Sequence, residues 1–202
     1  MKILILTGVA EELRAIMNYW ETRHEQKFTY DRQGRFFVLP YGGHIFFAGS
    51  AGAGLPRTGQ LLRRLEWAAP DVIVSAGLVG VLRPYSGLEP GQELTIQTVK
   101  SAREDTLYPG GPGRFVLISV DEPLFDPGQK HDLARLSGAD LCDMEAYRLL
   151  KLCGRSPMAL KWRIVLIKIA GDLPEQARLY RHEARLRQRP PGRFWGRIQA
   201  LC

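Results

Sequence analysis

Met1-Lys2-Ile3-Leu4-Ile5-Leu6-Thr7-Gly8-Val9-Ala10-Glu11-Glu12-Leu13 opens the chain, and the order of its apolar and polar residues decides the fold. Ile3 to Leu6 has the continuous apolar character of a buried strand and runs into Thr7-Gly8, a turn signal. From Glu11 to Trp20 the apolar residues Leu13, Ile16, Met17 and Trp20 recur at helical spacing. A buried strand leading directly into a helix is the first unit of an α/β layer.

The same alternation continues outward. Phe36 to Leu39 and Ile45 to Ala48 flank Tyr41-Gly42-Gly43, a hairpin signal, because glycine tolerates the positive φ of a tight turn. Gly49-Ser50-Ala51-Gly52-Ala53-Gly54 then leads into a helical pattern through Leu61, Leu62, Leu65 and Trp67. Val72-Ile73-Val74 reads as a third apolar strand that stops at Ser75-Ala76-Gly77-Leu78-Val79-Gly80. Further strands are expected over Glu93 to Val99 and Arg114 to Ser119, a helix over Met144 to Leu152, and a strand over Arg163 to Ile169. From Pro174 the pattern is again helical as far as Pro190-Pro191. With no internal repeat and no linker, this predicts one α/β domain over residues 1–202: three layers, with a central twisted mixed sheet flanked by helices on both faces.

The chain has 202 residues, is 45% hydrophobic and 24% charged, and carries a net charge of +7, ordinary values for one globular domain with a leaning toward anionic ligands. Its apolar runs fall far short of the roughly 20 residues of a membrane-spanning helix, and the N-terminus lacks the apolar core of an export signal. Cys142, Cys153 and Cys202 are odd in number and widely spaced, which predicts reduced thiols in a cytoplasmic protein. Neither these cysteines nor His24, His44, His131 and His182 show metal-ligand spacing, so no metal or organic cofactor is expected. The stretch from Glu175 to Cys202 has seven arginines against Glu175 and Glu183. It reads as a solvated basic helix face or as a docking surface for an acidic partner, a lipid surface or nucleic acid; nucleic acid is disfavoured because aromatics are not interleaved with the charges.

In open α/β sheets ligands bind beyond the carboxyl ends of strands. Carboxylates at such places are Glu11 and Glu12, then Asp143 and Glu145 around Met144, then Asp172 in Ile169-Ala170-Gly171-Asp172-Leu173-Pro174. Each has a structural reading too: Asp172 as a helix N-cap, Glu12 as a first-turn acid favoured by the helix dipole, Glu145 as a solvated helix residue. Gly52 with Gly54, and Gly77 with Gly80, either form tight turns or let backbone approach something bound. Gly52-Ala53-Gly54 lacks the remainder of a dinucleotide fingerprint, and there is no Walker A motif.

Taken in chain order, residues 1–13, Pro70-Asp71-Val72-Ile73-Val74-Ser75-Ala76-Gly77-Leu78-Val79-Gly80, Cys142-Asp143-Met144-Glu145-Ala146 and Ile167-Lys168-Ile169-Ala170-Gly171-Asp172 resemble the purine nucleoside phosphorylase superfamily. The resemblance is closest to its methylthioadenosine/adenosylhomocysteine nucleosidase branch. It implies cleavage of a nucleoside N-glycosidic bond, with Asp172 as general acid at the purine N7, Glu12 as the residue that positions and deprotonates water, and Glu145 as an ionised ligand of the ribose hydroxyls. Met144 would floor the sugar, Gly77 and Gly80 would admit base and ribose, and Asp143, Leu78 and Leu124 would join the substrate-binding residues. The resemblance further implies a small-molecule nucleoside as ligand and a homodimer.

Glu12 would repel phosphate, which favours a hydrolase over a phosphorylase; a non-catalytic nucleoside- or partner-binding protein on the same fold is the third reading. Two departures from the family pattern bear on the site: Gly171 stands where a serine usually precedes the aspartate, and Pro123 stands where a stacking aromatic is usual unless Phe125 substitutes.

Overall fold

The computed structural model describes residues 1–33, 36–52, 58–84, 88–157 and 161–172. In chain order the described elements are β1 (Lys2–Thr7), α1 (Ala10–His24), β2 (Thr29–Asp31), β3 (Phe36–Tyr41), β4 (His44–Ser50), α2 (Thr58–Ala68), β5 (Val72–Val81), β6 (Glu93–Leu94), β7 (Ile96–Ser101), β8 (Tyr108–Pro109), β9 (Phe115–Ser119), α3 (Pro127–Ser137), β10 (Leu141–Asp143), α4 (Ala146–Arg155) and β11 (Arg163–Asp172). The strands form one mixed sheet in the order β2-β3-β4-β1-β5-β10-β9-β7-β8, with β11 paired to both β5 and β6. The expected architecture, an α/β fold with helices against a central mixed sheet, is what the chain adopts.

Period-two alternation in β1 sorts its side chains between the two faces. Ile3 and Ile5 pack with Leu13, Ile16 and Trp20 of α1, and with Phe46, Val72 and Val74. Leu4 and Leu6 face the other way, onto Leu61 and Leu65 of α2 and onto Leu149, Leu152 and Cys153 of α4. Both faces of the sheet are thus covered, the condition under which a strand can be apolar throughout. The β3–β4 hairpin turns at Gly42 and Gly43, with φ of 58° and 78°, values that glycine adopts without a steric cost.

β5 corrects the sequence reading. The strand does not stop at the glycines but continues to Val81, in parallel with β1 as far as Ala76 and with β11 as far as Gly80, before Gly80 and Val81 pair with β10. Among the described strands, it is the one that joins the β1 half of the sheet to the β9–β10 half. β11 likewise runs past Ile169 to Asp172, which ends the strand opposite Gly80; the helix expected beyond it lies outside the described residues. The strand expected over Glu93 to Val99 is divided into β6 and β7.

Helix α3 was not expected from the pattern, yet its ends are written in the sequence. Asp126 accepts a hydrogen bond from the Gln129 N–H at 2.9 Å, Pro127 occupies the first turn, and Gly138 closes the helix at φ 69°. The Arg-rich segment from about residue 175 lies outside the described residues. Among those described, no helix is long and apolar enough to cross a membrane.

Trp20 is fully buried between α1 and the sheet, with its ring 5.3 Å from that of Phe46 and edge-on to Tyr41 at 5.0 Å. Trp20→Ala is expected to lower folding stability by about 3–5 kcal/mol, read as a lower midpoint of urea unfolding.

Candidate active site

The ends of β1 and β10 and the middles of β5 and β11 bring three carboxylates and one ammonium together. Glu12 sits in the first turn of α1 and folds back over the β1–α1 connection. Its Oε2 accepts the N–H groups of Gly8 at 3.0 Å and Val9 at 3.2 Å, and its Oε1 accepts the N–H of Leu78 at 2.8 Å. Glu12 therefore satisfies amides at a helix start and is also tied to the middle of β5. A carboxylate has about four acceptor positions. Three are filled by backbone donors that fix its orientation, which leaves acceptor capacity for a water.

Glu145 is the N-cap residue of α4 and is almost entirely buried. Its Oε1 accepts a hydrogen bond from Lys168 Nζ at 3.2 Å, and its Oε2 accepts one from the Met144 N–H at 3.2 Å. Two glycines make room for these acids. A Cβ on Gly8 would stand 3.2 Å from the Glu145 carboxyl, and one on Gly77 would stand 3.2 Å from Glu12 Oε1 and 3.4 Å from Glu145 Oε1. Gly77 thus brings bare backbone against both carboxylates.

Lys168 is the residue that the sequence reading passed over. It lies in register with Gly77, is wholly buried, and binds Asp143 Oδ2 at 2.8 Å as well as Glu145. The available signal was one lysine inside the apolar run Ile164 to Ala170; a buried lysine needs an acidic partner. Ser119 was passed over too. It is the register partner of Asp143 on β9, donates its hydroxyl to Asp143 Oδ1 at 2.6 Å, and accepts the Tyr147 N–H at 2.9 Å.

Charge in this cluster moves the ionisation of its members. Burial raises the Glu145 carboxyl to about 7; the Lys168 ammonium opposes the rise, while the neighbouring charges of Asp143 and Glu12 add to it. Glu145 therefore changes charge around neutrality, whereas the sequence reading took it as a settled anion. Burial alone would lower Lys168, but Asp143 and Glu145 more than offset it and hold the ammonium above its ordinary value.

The remaining expected residues are placed as follows. Asp143 is buried, and its oxygens are engaged by Ser119, Lys168 and the Ala146 N–H, so the structure gives it a supporting position behind Glu145. Met144 is half-buried between the two acids. Leu78 contributes its N–H to Glu12. Leu124 packs against Leu82, Ile118, Ala134 and Cys142, on the α3 side of β9. Phe125 is exposed, 62% of its surface being open. Gly52 has φ 81°, a turn position, and Gly54 falls outside the described residues. Among the described residues, no group of three His, Cys, Asp or Glu side chains is arranged to hold a metal ion.

The backbone reaches Asp172 through a bulge. Ala170 pairs with Val79 and Asp172 with Gly80, leaving Gly171 as the extra residue. A Cβ on Gly171 would stand 3.2 Å from the Val79 carbonyl oxygen and 3.3 Å from Leu78 Cβ, a tight fit against β5. Asp172 lies four residues beyond Lys168, roughly 13 Å along the strand.

No family model matches the chain, and no curated protein sequence matches it. Its architecture is the nucleoside phosphorylase/hydrolase fold, as solved structures demonstrate. The Campylobacter jejuni 5'-methylthioadenosine/S-adenosyl homocysteine nucleosidase aligns with a TM-score of 0.70 at 16% identity, covering 95% of this chain and 93% of that one. A Helicobacter pylori futalosine hydrolase mutant aligns at 0.67 with 12% identity, over 88% and 92% of the two chains. A variant of the Chlamydia trachomatis MTAN bound to MTA aligns at 0.67 with 18% identity, over 100% of both chains. At such identities the likeness is one of fold.

Because the Glu145 carboxyl titrates higher in the folded chain than the ordinary value of 4.5, its contribution to stability is fully present below about 4.5 and is lost as pH rises through about 7. Glu145→Gln removes that loss. Urea unfolding at pH 5 and pH 8 should show the variant gaining on the wild type as pH rises; a constant difference would contradict the raised ionisation.

Proposed function

We propose that the protein is a nucleosidase that hydrolyses the N-glycosidic bond of a purine nucleoside or a 5'-modified purine nucleoside. The observation that carries this reading is the Glu12 carboxylate, held by three backbone amides beside Glu145 with acceptor capacity to spare. A water bound there would be oriented and deprotonated by Glu12 as it attacks the anomeric carbon. Glu145, when ionised, accepts hydrogen bonds from the ribose hydroxyls and favours positive charge developing on the sugar. Asp172, carried on the far end of β11, is assigned the general acid that protonates N7 of the departing purine. The strand distance between Lys168 and Asp172 leaves the sugar and the base separate places along β5 and β11.

Water is favoured over phosphate by charge. Among the described residues, Glu12, Asp143 and Glu145 face one ammonium, Lys168, so this cluster carries excess negative charge and disfavours an anionic nucleophile. The fold neighbours, two nucleosidases and a futalosine hydrolase by name, support hydrolysis at the level of the fold. The same reading takes the working form to be a cytoplasmic homodimer.

Incubation of the purified protein with adenosine, methylthioadenosine, adenosylhomocysteine and futalosine, followed by chromatography of the free base, is the direct test. Base release that does not depend on added phosphate is expected. Asp172→Asn and Glu12→Gln are each expected to reduce kcat by at least about a hundredfold, the scale of lost acid–base catalysis, while nucleoside binding persists. Wild-type turnover in both variants would overturn the role assignments, and a strict need for phosphate would make the enzyme a phosphorylase.

A further inference from the structure

Glu145 occupies the N-cap of α4, yet its side chain makes no capping bond. The first N–H groups of a helix lack partners within the helix, and the N-cap side chain ordinarily supplies one. Here the supply comes from neighbouring strands. The Ala146 N–H reaches the Asp143 carboxylate at 3.2 Å and 3.4 Å, and the Tyr147 N–H reaches Ser119 Oγ at 2.9 Å. An amide nitrogen can only donate, so the Ser119 oxygen accepts there and its own proton goes to Asp143 Oδ1, 2.6 Å away. Ser119 and Asp143 are direct register partners on β9 and β10, so the cap is part of the sheet. The carboxylate that would otherwise cap its own helix is released toward Lys168, Gly8 and Gly77.

We propose that Ser119 is a positioning residue for Glu145: by capping α4 from β9 and anchoring Asp143, it fixes the helix start that carries the sugar-binding carboxylate and frees that carboxylate to face the ligand. This inference rests on the nucleosidase reading for its effect on turnover, and on the geometry alone for its effect on Glu145. The charged groups that act on Glu145 are Lys168 from β11, Asp143 from β10 and Glu12 from α1; of these Asp143 is bound by Ser119 directly.

A double-mutant cycle separates positioning from mere support of the fold. Ser119→Ala is expected to lower kcat/KM by about tenfold, mostly through KM, in the wild-type background, and by less than about twofold in a Glu145→Gln background, where there is no carboxylate left to place. Equal losses in the two backgrounds would overturn the proposal. A second readout needs no turnover: in protein labelled with 13C-glutamate, with Glu145→Gln identifying the resonance, the Glu145 carboxyl is titrated with and without Ser119→Ala. The substitution is expected to shift the titration midpoint, and an unmoved midpoint would overturn the proposal. If Ser119→Ala does not fold, Ser119→Cys, whose thiol bonds weakly, takes its place in both measurements. Absence of base release by the wild-type protein would fail the nucleosidase reading, and the titration would still decide the role of Ser119.

Discussion

One buried ammonium organises this molecule. Lys168 stands in the middle of β11 with no exposure to solvent, where an uncompensated charge would be very costly. Its compensation is assembled from elsewhere in the chain: Asp143 ends β10, and Glu145 begins α4. The β10–α4 connection is therefore held against β11 by electrostatics as well as by packing. That connection places Met144 and Glu145 at the mouth of the sheet, across from Glu12. Replacing the cluster by apolar residues could yield an equally stable core; what such a core would lack is a set of acids held in fixed orientation.

The cluster also explains the glycines along its walls. Gly8 ends the β1 segment and Gly77 lies within β5, and each would bring a Cβ to about 3.2 Å from a carboxyl oxygen. Neither has a positive φ among the described backbone angles, so space and not backbone freedom selects glycine at these two places. For this reason glycine within β5 is a poor sign of a strand end. The sequence reading stops the strand at Ser75-Ala76-Gly77-Leu78-Val79-Gly80; the pairing of β5 with β11 continues through that stretch, since the backbone hydrogen bonds do not need the missing side chains.

What was legible in the sequence follows the reach of local pattern. Strand β1, helix α1 and the β3–β4 hairpin could be read because period and turn chemistry act over a few residues. The acids Glu12, Asp143 and Glu145 could be listed because they fall after apolar strands, and their meeting followed from the resemblance in chain order. Lys168 and Ser119 escaped, because each looks like an ordinary strand residue until its partner on another strand is known. Ser119 in particular has no local signature: its hydroxyl acts on an amide and a carboxylate 28 and 24 positions away. Helix α3 escaped for another reason. Its interior is weakly patterned, and its identity lies in its ends, Asp126-Pro127 and Gly138.

The bulge at Gly171 shows how the fold and the site constrain each other. β11 must pair with β5 through Lys168 for the cluster to form, and must still deliver Asp172 beyond the sheet centre. One extra residue between Ala170 and Asp172 adjusts the register, with Asp172 opposite Gly80. At that residue the chain runs so close to the Val79 carbonyl that even a Cβ would crowd it. The glycine that departs from the family pattern is thus the residue that this local backbone accommodates best. A serine Cβ there would press on the Val79 carbonyl and on Leu78 of β5, the strand whose Leu78 N–H holds Glu12. In this chain the position of Asp172 is set by backbone pairing across the bulge, and the geometry of Glu12 is preserved by the same choice.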